Sequence, residues 1–315
     1  MIVKRNINVA KSLPYVKIEL ALGTFASLLV FLVYDVANID RFAIPNVLPV
    51  MLGTALSIFL GFRNNAAYSR WTEGAQLWTS IASSSRRFAR LIITFVEAHN
   101  HTEAYDTEKA RAYQKEMIYR QLAWVHALRI QLRPHDESSW NELQPFLSKS
   151  EWNTLMNKSN KPSALLMTQG HRIYDAMRTG TLQGFDSFQL EGCLAELTVY
   201  AGNCDRLKRI PIPRQYTFFT RLFVWFFIFV IPFSFVQTFA VFSRAWIIIP
   251  VTVMLSYVFG IVERTGAVNE EPFENRITDV PLNSFCVDIE RDLREMLDES
   301  ELPSKLVADR LGMLY

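Results

Sequence analysis

The sequence predicts an all-α integral membrane protein with four transmembrane helices, and three observations support this fold class. Half of the 315 residues are hydrophobic, although charged residues still make up 20% of the chain. The apolar residues collect in four long stretches with almost no charge, each long enough to cross a hydrocarbon core as a helix. No segment alternates apolar and polar residues as a half-buried strand does. The four stretches are Leu20–Val36, Phe42–Phe62, Leu222–Phe242 and Ala245–Val262.

These stretches form two hairpins, because only a short turn separates the first from the second and the third from the fourth. The segment between the hairpins is too long to be a loop, so we expect a separate helical domain there. The expected parts are a basic segment with the first two spans at 1–62, the helical domain at 63–221, the last two spans at 222–262 and a C-terminal segment at 263–315.

Basic residues near the span ends predict the orientation in the membrane, since cytoplasmic loops carry an excess of Lys and Arg. The turn inside each hairpin holds one basic residue, Arg41 or Arg244, whereas the opposite flanks hold many. We therefore expect a multi-pass protein of the inner cell membrane with both termini and the central domain in the cytoplasm. The flanking basic residues are Lys4, Arg5, Lys11, Lys17, Arg63, Arg70, Arg206, Lys208, Arg209, Arg214, Arg221 and Arg264.

The central domain is predicted to be built from helices. Apolar residues recur at helical spacing from Ile118 to Leu132, and Arg133-Pro134 ends that pattern. The further helices expected in this domain are 150–157, 164–178 with Ser163 as its N-cap, and 186–206.

Composition and motifs exclude several classes of function. The net charge of +2 is too small to indicate a nucleic-acid partner. Cys193, Cys204 and Cys286 are odd in number and lack metal-ligand spacing, so we expect buried thiols and no disulfide framework. A glycine-rich phosphate loop, a nucleophile elbow and a helical pair of metal-binding histidines are all missing from the sequence. We therefore expect no enzyme and no cofactor.

Two groups of polar residues have side chains of the kind that bind metal ions. His99 and His101 lie two residues apart in a polar turn, where a solvated loop is the more common explanation. A calcium site needs six or more oxygens that converge on one point. The acidic residues after the fourth span are interrupted, which favours helix capping and surface charge, so no metal site is predicted. These acidic residues are Glu270, Glu271, Glu274 and Asp279, and Pro272, Phe273 and Arg276 interrupt them.

The second span differs from the others because it runs without a linker into polar residues. We expect one helix that crosses the membrane and continues into water as far as Trp78. Thr54, Ile58 and Phe62 follow one another at intervals of four and so share one face of this helix. Spacing alone favours an ordinary packing face. The functional alternative is a pore lined by several copies of the helix, because rings of apolar side chains can gate ion flow by dewetting.

Polar residues follow this face where the helix leaves the membrane. Arg63, Asn64 and Asn65 are expected to reach toward the interface, as charged side chains at span ends commonly do. Arg70 and Glu73 are three apart and are expected to stabilise the helix or a subunit contact. Structural roles are predicted for all five.

Three segments together resemble the bestrophin family of ion channels, in its prokaryotic branch. LGTALSIFLGFRNNAAYSRWTEGAQLW, from Leu52 to Trp78, resembles the family's signature around the second span. Gly202–Thr217 resembles the elbow by which the chain returns to the membrane. Glu270–Leu293 resembles the segment after the last span, and the three occur in the family's order.

The resemblance implies a homopentamer around a single central pore, with the lipid bilayer, monovalent ions and other copies of the chain as partners. Alignment on the signature makes Thr54, Ile58 and Phe62 the three rings of a narrow neck. Alignment on RTGTL, residues 178–182, puts a second, cytosolic constriction at or near Phe185. Thr54 departs from the apolar first ring of the family. The aspartate run that forms a calcium clasp in animal members is missing here, so we expect no activation by calcium through this segment.

The sign of the permeant ion stays open at this stage. Family membership implies a chloride or other anion channel with a hydrophobic neck. The middle ring is Ile58, as in prokaryotic relatives of which some pass monovalent cations, so a sodium channel of the same architecture is the alternative. A non-conducting, membrane-anchored binding module is the alternative from another class, and a transporter is disfavoured because the two hairpins share no visible repeat.

Overall fold

The computed structural model describes residues 1, 12–36, 44–101, 105–241, 245–309 and 312–314, and it leaves aside the side chains of residues 35, 36 and 237. Within these residues the secondary structure is helical. The α-helices are α1 (Lys17–Phe31), α2 (Val47–Ala98), α3 (Thr107–Leu132), α4 (Lys149–Met156), α5 (Lys161–Arg178), α6 (Gly184–Arg209), α7 (Arg214–Ala240), α8 (Ile248–Asn269) and α9 (Leu282–Glu295).

Four helical segments are long and apolar enough to cross a membrane, as the sequence predicted. They are Leu13–Tyr34, Val47–Ala98, Arg214–Ala240 and Ala245–Asn269. Helix α2 is continuous over 52 residues, which confirms that the second span runs on into the polar segment. Several residues used to predict the spans and their orientation lie outside the described part of the chain: Lys4, Arg5, Lys11, Arg41, Phe42, Phe242 and Arg244.

The chain forms two compact units, which are described separately below. The membrane unit comprises Lys4–Trp71 and Pro211–Glu271. The second unit, here called the helical unit, comprises Met1–Val3, Thr72–Ile210 and Pro272–Tyr315. Helix α2 contributes to both units. The boundary expected after residue 62 falls inside this helix, and the position of the membrane surface along it remains a prediction.

Small residues bring the helices of the membrane unit close together. Thr252, Ser256 and Gly260 recur every four residues on α8 and are buried. On α1, Gly23 lies so close to α8 that an added Cβ would sit 2.1 Å from Ser256 Oγ. Gly260 approaches the start of α1 in the same way. Membrane helices pack through small residues because lipid supplies no hydrophobic force that drives one helix onto another.

Large apolar side chains cover the outside of the membrane unit, the reverse of the arrangement in a water-soluble protein. Helix α7 alone exposes five phenylalanines, which a bilayer solvates and water does not. The exposed phenylalanines of α7 are Phe218, Phe219, Phe223, Phe226 and Phe229.

The helical unit is built around α3, whose central residues are almost wholly buried. A polar connection crosses its interior: Gln121 of α3 donates to Ser85 Oγ of α2 at 2.9 Å and accepts from Gln169 Nε2 of α5 at 3.2 Å. All three side chains are buried, and each bond satisfies a group that would otherwise cost free energy. The predicted helix up to Leu132 is confirmed, and so is its break at Arg133.

The start of helix α5 differs from the sequence prediction. Helix α5 begins at Lys161 with Asn160 as its N-cap, so the prediction that Ser163 caps it is wrong. The Asn160 side chain accepts from the backbone N–H of Ser163 at 3.1 Å, because an Asn oxygen can satisfy one of the free N–H groups at a helix start.

The three cysteines are free and buried, as predicted. Burial raises the pKa of Cys204 and of Cys286 to about 12, so both stay protonated.

The contact of α1 with α8 yields the first prediction. Gly23→Ala is expected to lower the midpoint of thermal unfolding in detergent, because the new methyl group overlaps Ser256; overpacking of this kind costs about 1–3 kcal/mol. Adding Ser256→Gly removes the overlapping atoms and is expected to restore most of the loss. Additive losses in the double variant would contradict the proposed contact.

Candidate functional site

Two opposite faces of the membrane part of α2 differ in what they contact. Leu56 and Leu60 belong to a buried apolar cluster with residues of α7. Residues two apart in a helix point about 200° apart, so Ile58 faces away from both leucines. Ile58 is 56% exposed and Phe62 is 72% exposed, and Thr54 is exposed on the same side. The three predicted neck residues therefore share a face that nothing in the described chain covers.

The buried face of α2 is held by close apolar packing. Its partners on α7 are Val224, Phe227, Ile228 and Ile231. At Gly53 an added Cβ would lie 2.9 Å from the Phe227 ring, so glycine allows this ring to lie against the helix backbone. This contact orients α2 within the membrane unit and directs the Thr54–Phe62 side away from it.

A buried ion cluster holds α2 where its apolar part ends. Arg63 Nη1 lies 3.2 Å from Glu263 Oε1 of α8, and Arg63 Nη2 lies 3.9 Å from Glu270 Oε2. The Thr217 hydroxyl of α7 accepts from Arg63 at 3.4 Å and donates to Glu270 at 3.3 Å. The three charged side chains are 3–4% exposed. The expectation that Arg63 reaches toward the interface is therefore wrong, because two carboxylates pair with it inside the protein.

The next residues of the signature extend this attachment to α8. Asn64 donates to the Val262 carbonyl at 3.0 Å, and Gly266 leaves the space that its side chain occupies. Asn65 is exposed. Arg70 Nε donates to the backbone carbonyl of Glu270 at 3.0 Å. These contacts support the structural roles that the sequence predicted for Asn64 and Arg70.

Glu73 begins a different set of contacts, within the helical unit. Its carboxylate pairs with Arg206 near the end of α6. Arg87, further along α2, forms a second ion pair with α6 through Glu196 at 2.7 Å. Glu73 thus joins two helices of the unit, in keeping with a structural role.

The acidic residues after α8 are divided between the two units and have different partners. Glu271 pairs with Arg214 at 3.0 Å within the membrane unit, and Glu274 pairs with Lys208 within the helical unit. Glu270 and Asp279 are each only 2% exposed, so the prediction of surface charge is wrong for these two. Burial raises the pKa of Asp279, whose side chain accepts from the Arg276 backbone N–H at 3.1 Å. In the part of the chain that the structure describes, no three His, Cys, Asp or Glu side chains are grouped to hold a metal ion.

Phe185, the predicted cytosolic constriction, is the second residue of α6 and is 68% exposed. The backbone beside it is held firmly. Gln183 and Asp186 form a reciprocal capping box at the start of α6, and His99 Nε2 lies 2.7 Å from Asp186 Oδ2. His99 is buried, so the expectation of a solvated loop is wrong for this histidine. Its partner lies 87 positions away, which no local pattern reveals.

The partners of Arg63 were the main feature that sequence reasoning missed. Glu263 and Arg264 directly follow the predicted fourth span, where charged residues are common, so the sequence gives no signal that Glu263 pairs inside the protein. Glu270 was grouped with the surface acids because it directly precedes Glu271. Only the fold, which brings residues 200 positions apart into contact, identifies the pair Arg63–Glu263.

Together, the four candidate spans and the attached helical unit define a multi-pass helical membrane protein. The family described as Bacterial/Fungal Bestrophin protein matches residues 9–295. This chain belongs to that family, as the three sequence segments indicated.

Curated relatives and solved structures agree with the family assignment. The voltage-dependent anion channel-forming protein YneE of Escherichia coli K12 is 29% identical over 260 residues, 82% of this chain and 79% of that protein. The voltage-dependent anion channel-forming protein RSc3414 of Ralstonia nicotianae is 29% identical over 258 residues, with the same coverage. A crystal structure of a bacterial bestrophin homologue from Klebsiella pneumoniae aligns with a TM-score of 0.79 and 25% identity, over 90% of this chain and 99% of that one.

The buried ion cluster yields a second prediction, with a matched control. Arg63→Met is expected to destabilise the protein by about 3–5 kcal/mol, because it leaves Glu263 and Glu270 buried without their cation. Arg214→Met breaks an ion pair at the surface of the same unit, where water solvates the freed carboxylate, and is expected to change stability little. Thermal unfolding in detergent measures both. Equal effects of the two substitutions would contradict a special role for Arg63.

Proposed function

We propose that this chain is the subunit of a homopentameric, passive anion channel of the inner cell membrane. The observation that carries the proposal is the face formed by Thr54, Ile58 and Phe62, which is exposed on a helix whose opposite face is fixed by packing. Five copies of α2 around an axis would turn this face into three stacked rings. The fivefold stoichiometry rests on the resemblance to bestrophins.

The residues that continue this face are polar, which suits the mouth of a pore. Asn65 and Ser69 follow Phe62 at intervals of three and four and are exposed. With Thr54 at the other end, they put polar side chains on both sides of the apolar pair Ile58 and Phe62. The apolar rings of Ile58 and Phe62 then separate two polar regions.

Such a neck controls conduction through the cost of wetting it. Water in a narrow apolar constriction lacks hydrogen-bond partners, so a small change in width or polarity there changes the passage of hydrated ions steeply. Ile58 and Phe62 are therefore proposed as the barrier, and Arg63 with its carboxylates as the attachment that holds them in position.

The proposed anion selectivity rests on the relatives and on the charge of α2. The curated relatives bear names of anion-channel-forming proteins. Cation channels commonly use rings of Asp or Glu, and α2 has neither from Val47 to Thr72. One observation favours the alternative of a monovalent-cation channel: Ile58 is aliphatic and offers an anion no positively polarised ring edge. The salt-gradient recording described below decides between them.

The proposal includes the topology and the second constriction expected from the sequence. Both termini and the segment 63–221 are placed in the cytoplasm, as the basic flanks of the spans indicate. Phe185 is proposed to narrow the cytosolic mouth of the pore. Its exposure, next to a firmly capped helix start, supports a side chain presented by rigid backbone.

Ile58→Ala tests the neck. We expect single-channel conductance in planar bilayers to rise severalfold, because a smaller ring is wider and easier to wet. The control is Leu52→Ala, which removes the same number of carbon atoms from an exposed position about 120° around the helix from Ile58. Under a salt gradient, a wild-type reversal potential near that of chloride supports the anion channel, and one near that of sodium supports the cation alternative.

Three results would count against this account. An unchanged conductance in Ile58→Ala, or an equal change in Leu52→Ala, would remove Ile58 from the pore. No current from correctly assembled wild-type oligomers would refute conduction and favour the membrane-anchored binding module.

Phe185→Ala tests the cytosolic constriction. Loss of five phenyl rings is expected to increase conductance while the free energy of unfolding stays nearly unchanged, since Phe185 is exposed. Tyr174→Ala removes an exposed aromatic ring (61% exposed) from a different helix, α5, so it is the control and is expected to leave conductance unchanged. The same single-channel recording measures both. A response to Tyr174→Ala alone would contradict the placement of Phe185 at the constriction.

A further inference from the structure

The hydroxyl of Thr54 is turned toward its own helix. Thr54 Oγ1 donates its hydrogen to the Val50 carbonyl at 2.9 Å, one turn earlier in α2. The side chain is nevertheless exposed on the face proposed to line the pore. The oxygen is therefore available from outside the helix, while its hydrogen is already engaged.

This orientation determines which ions the hydroxyl can stabilise. A hydroxyl has one hydrogen to donate and two lone pairs to accept with. When the hydrogen is bonded to the carbonyl four residues back, only the lone pairs remain for a ligand. A lone pair can coordinate a cation or accept from water. An anion needs a donor, and Thr54 can supply one only by giving up its bond to Val50.

We propose that the Thr54 ring disfavours anions at the outer end of the neck and so lowers the chloride-to-sodium permeability ratio of the channel. The inference rests on the proposed function, because it requires Thr54 to face a pore. It assigns a selectivity role to the one neck position that departs from the apolar pattern. The inference holds whether chloride or sodium carries most of the current, because it concerns only the change in the permeability ratio when the hydroxyl is removed.

Thr54→Val is the direct test because valine has nearly the same shape and lacks the hydroxyl. The chloride-to-sodium permeability ratio, obtained from reversal potentials in a sodium chloride gradient, is expected to rise about threefold, as the loss of one modest hydrogen-bonding contact predicts. Thr54→Ser keeps the hydroxyl and is expected to keep the wild-type ratio.

Ser57→Ala is the matched control. Ser57 Oγ makes the same kind of bond, to the Gly53 carbonyl at 2.7 Å, but its side chain lies about 100° around the helix from Ile58. Its removal is expected to leave the ratio unchanged.

The possible outcomes separate this inference from the proposed function. A higher ratio in Thr54→Val alone supports it. Measurable current with the wild-type ratio in Thr54→Val overturns the role of Thr54 and leaves the channel in place. If the permeability ratio rises in Thr54→Ser or in Ser57→Ala as much as in Thr54→Val, the role of Thr54 is also overturned. Absence of current from assembled wild-type protein overturns both.

Discussion

The buried pairing of Arg63 with Glu263 and Glu270 is the interaction on which the rest of the proposed site depends. Taking three charges out of water is costly, and only mutual pairing and added hydrogen bonds offset that cost. The cluster therefore tolerates little displacement of its parts. Because Thr217 belongs to α7 and Glu263 to α8, the cluster holds three helices together beside the end of the apolar part of α2. One side of α2 is thus fixed, and the other is left free.

This division of α2 into a fixed and a free face relates structure to function. Apolar packing at Leu56 and Leu60 and the ion cluster at Arg63 occupy one side, so the side of Ile58 can vary in chemistry without loss of the fold. In the neck proposed here, Ile58 and Phe62 provide an apolar barrier. Thr54 adds an oxygen that favours cations, whereas the relatives are named as anion-channel-forming proteins. Selectivity would then result from a balance along the neck.

Sequence alone predicts the features that depend on local pattern. Four spans, the continuous helix α2 and the shared face of Thr54, Ile58 and Phe62 follow from hydropathy and from the helical period. It does not predict contacts between distant residues. Arg63 and Glu263 are 200 positions apart, so Arg63 looked like a side chain that reaches to the interface.

The sequence also did not predict which polar side chains are buried. Glu270 and Asp279 looked like surface acids because they follow the last span together with Glu271 and Glu274, yet the fold encloses both. His99 looked like a loop residue until its contact with Asp186 was visible. The N-cap of α5 was misplaced by three residues, since both Asn160 and Ser163 are residue types that cap helices.

The central claim is that the free face of α2 lines an axial pore, and a structure of the assembled protein in lipid nanodiscs by single-particle electron microscopy tests it most directly. The account predicts a fivefold particle in which Thr54, Ile58 and Phe62 point to the symmetry axis and form its narrowest part. A particle in which this face meets lipid, or packs against a neighbouring helix away from the axis, would contradict it.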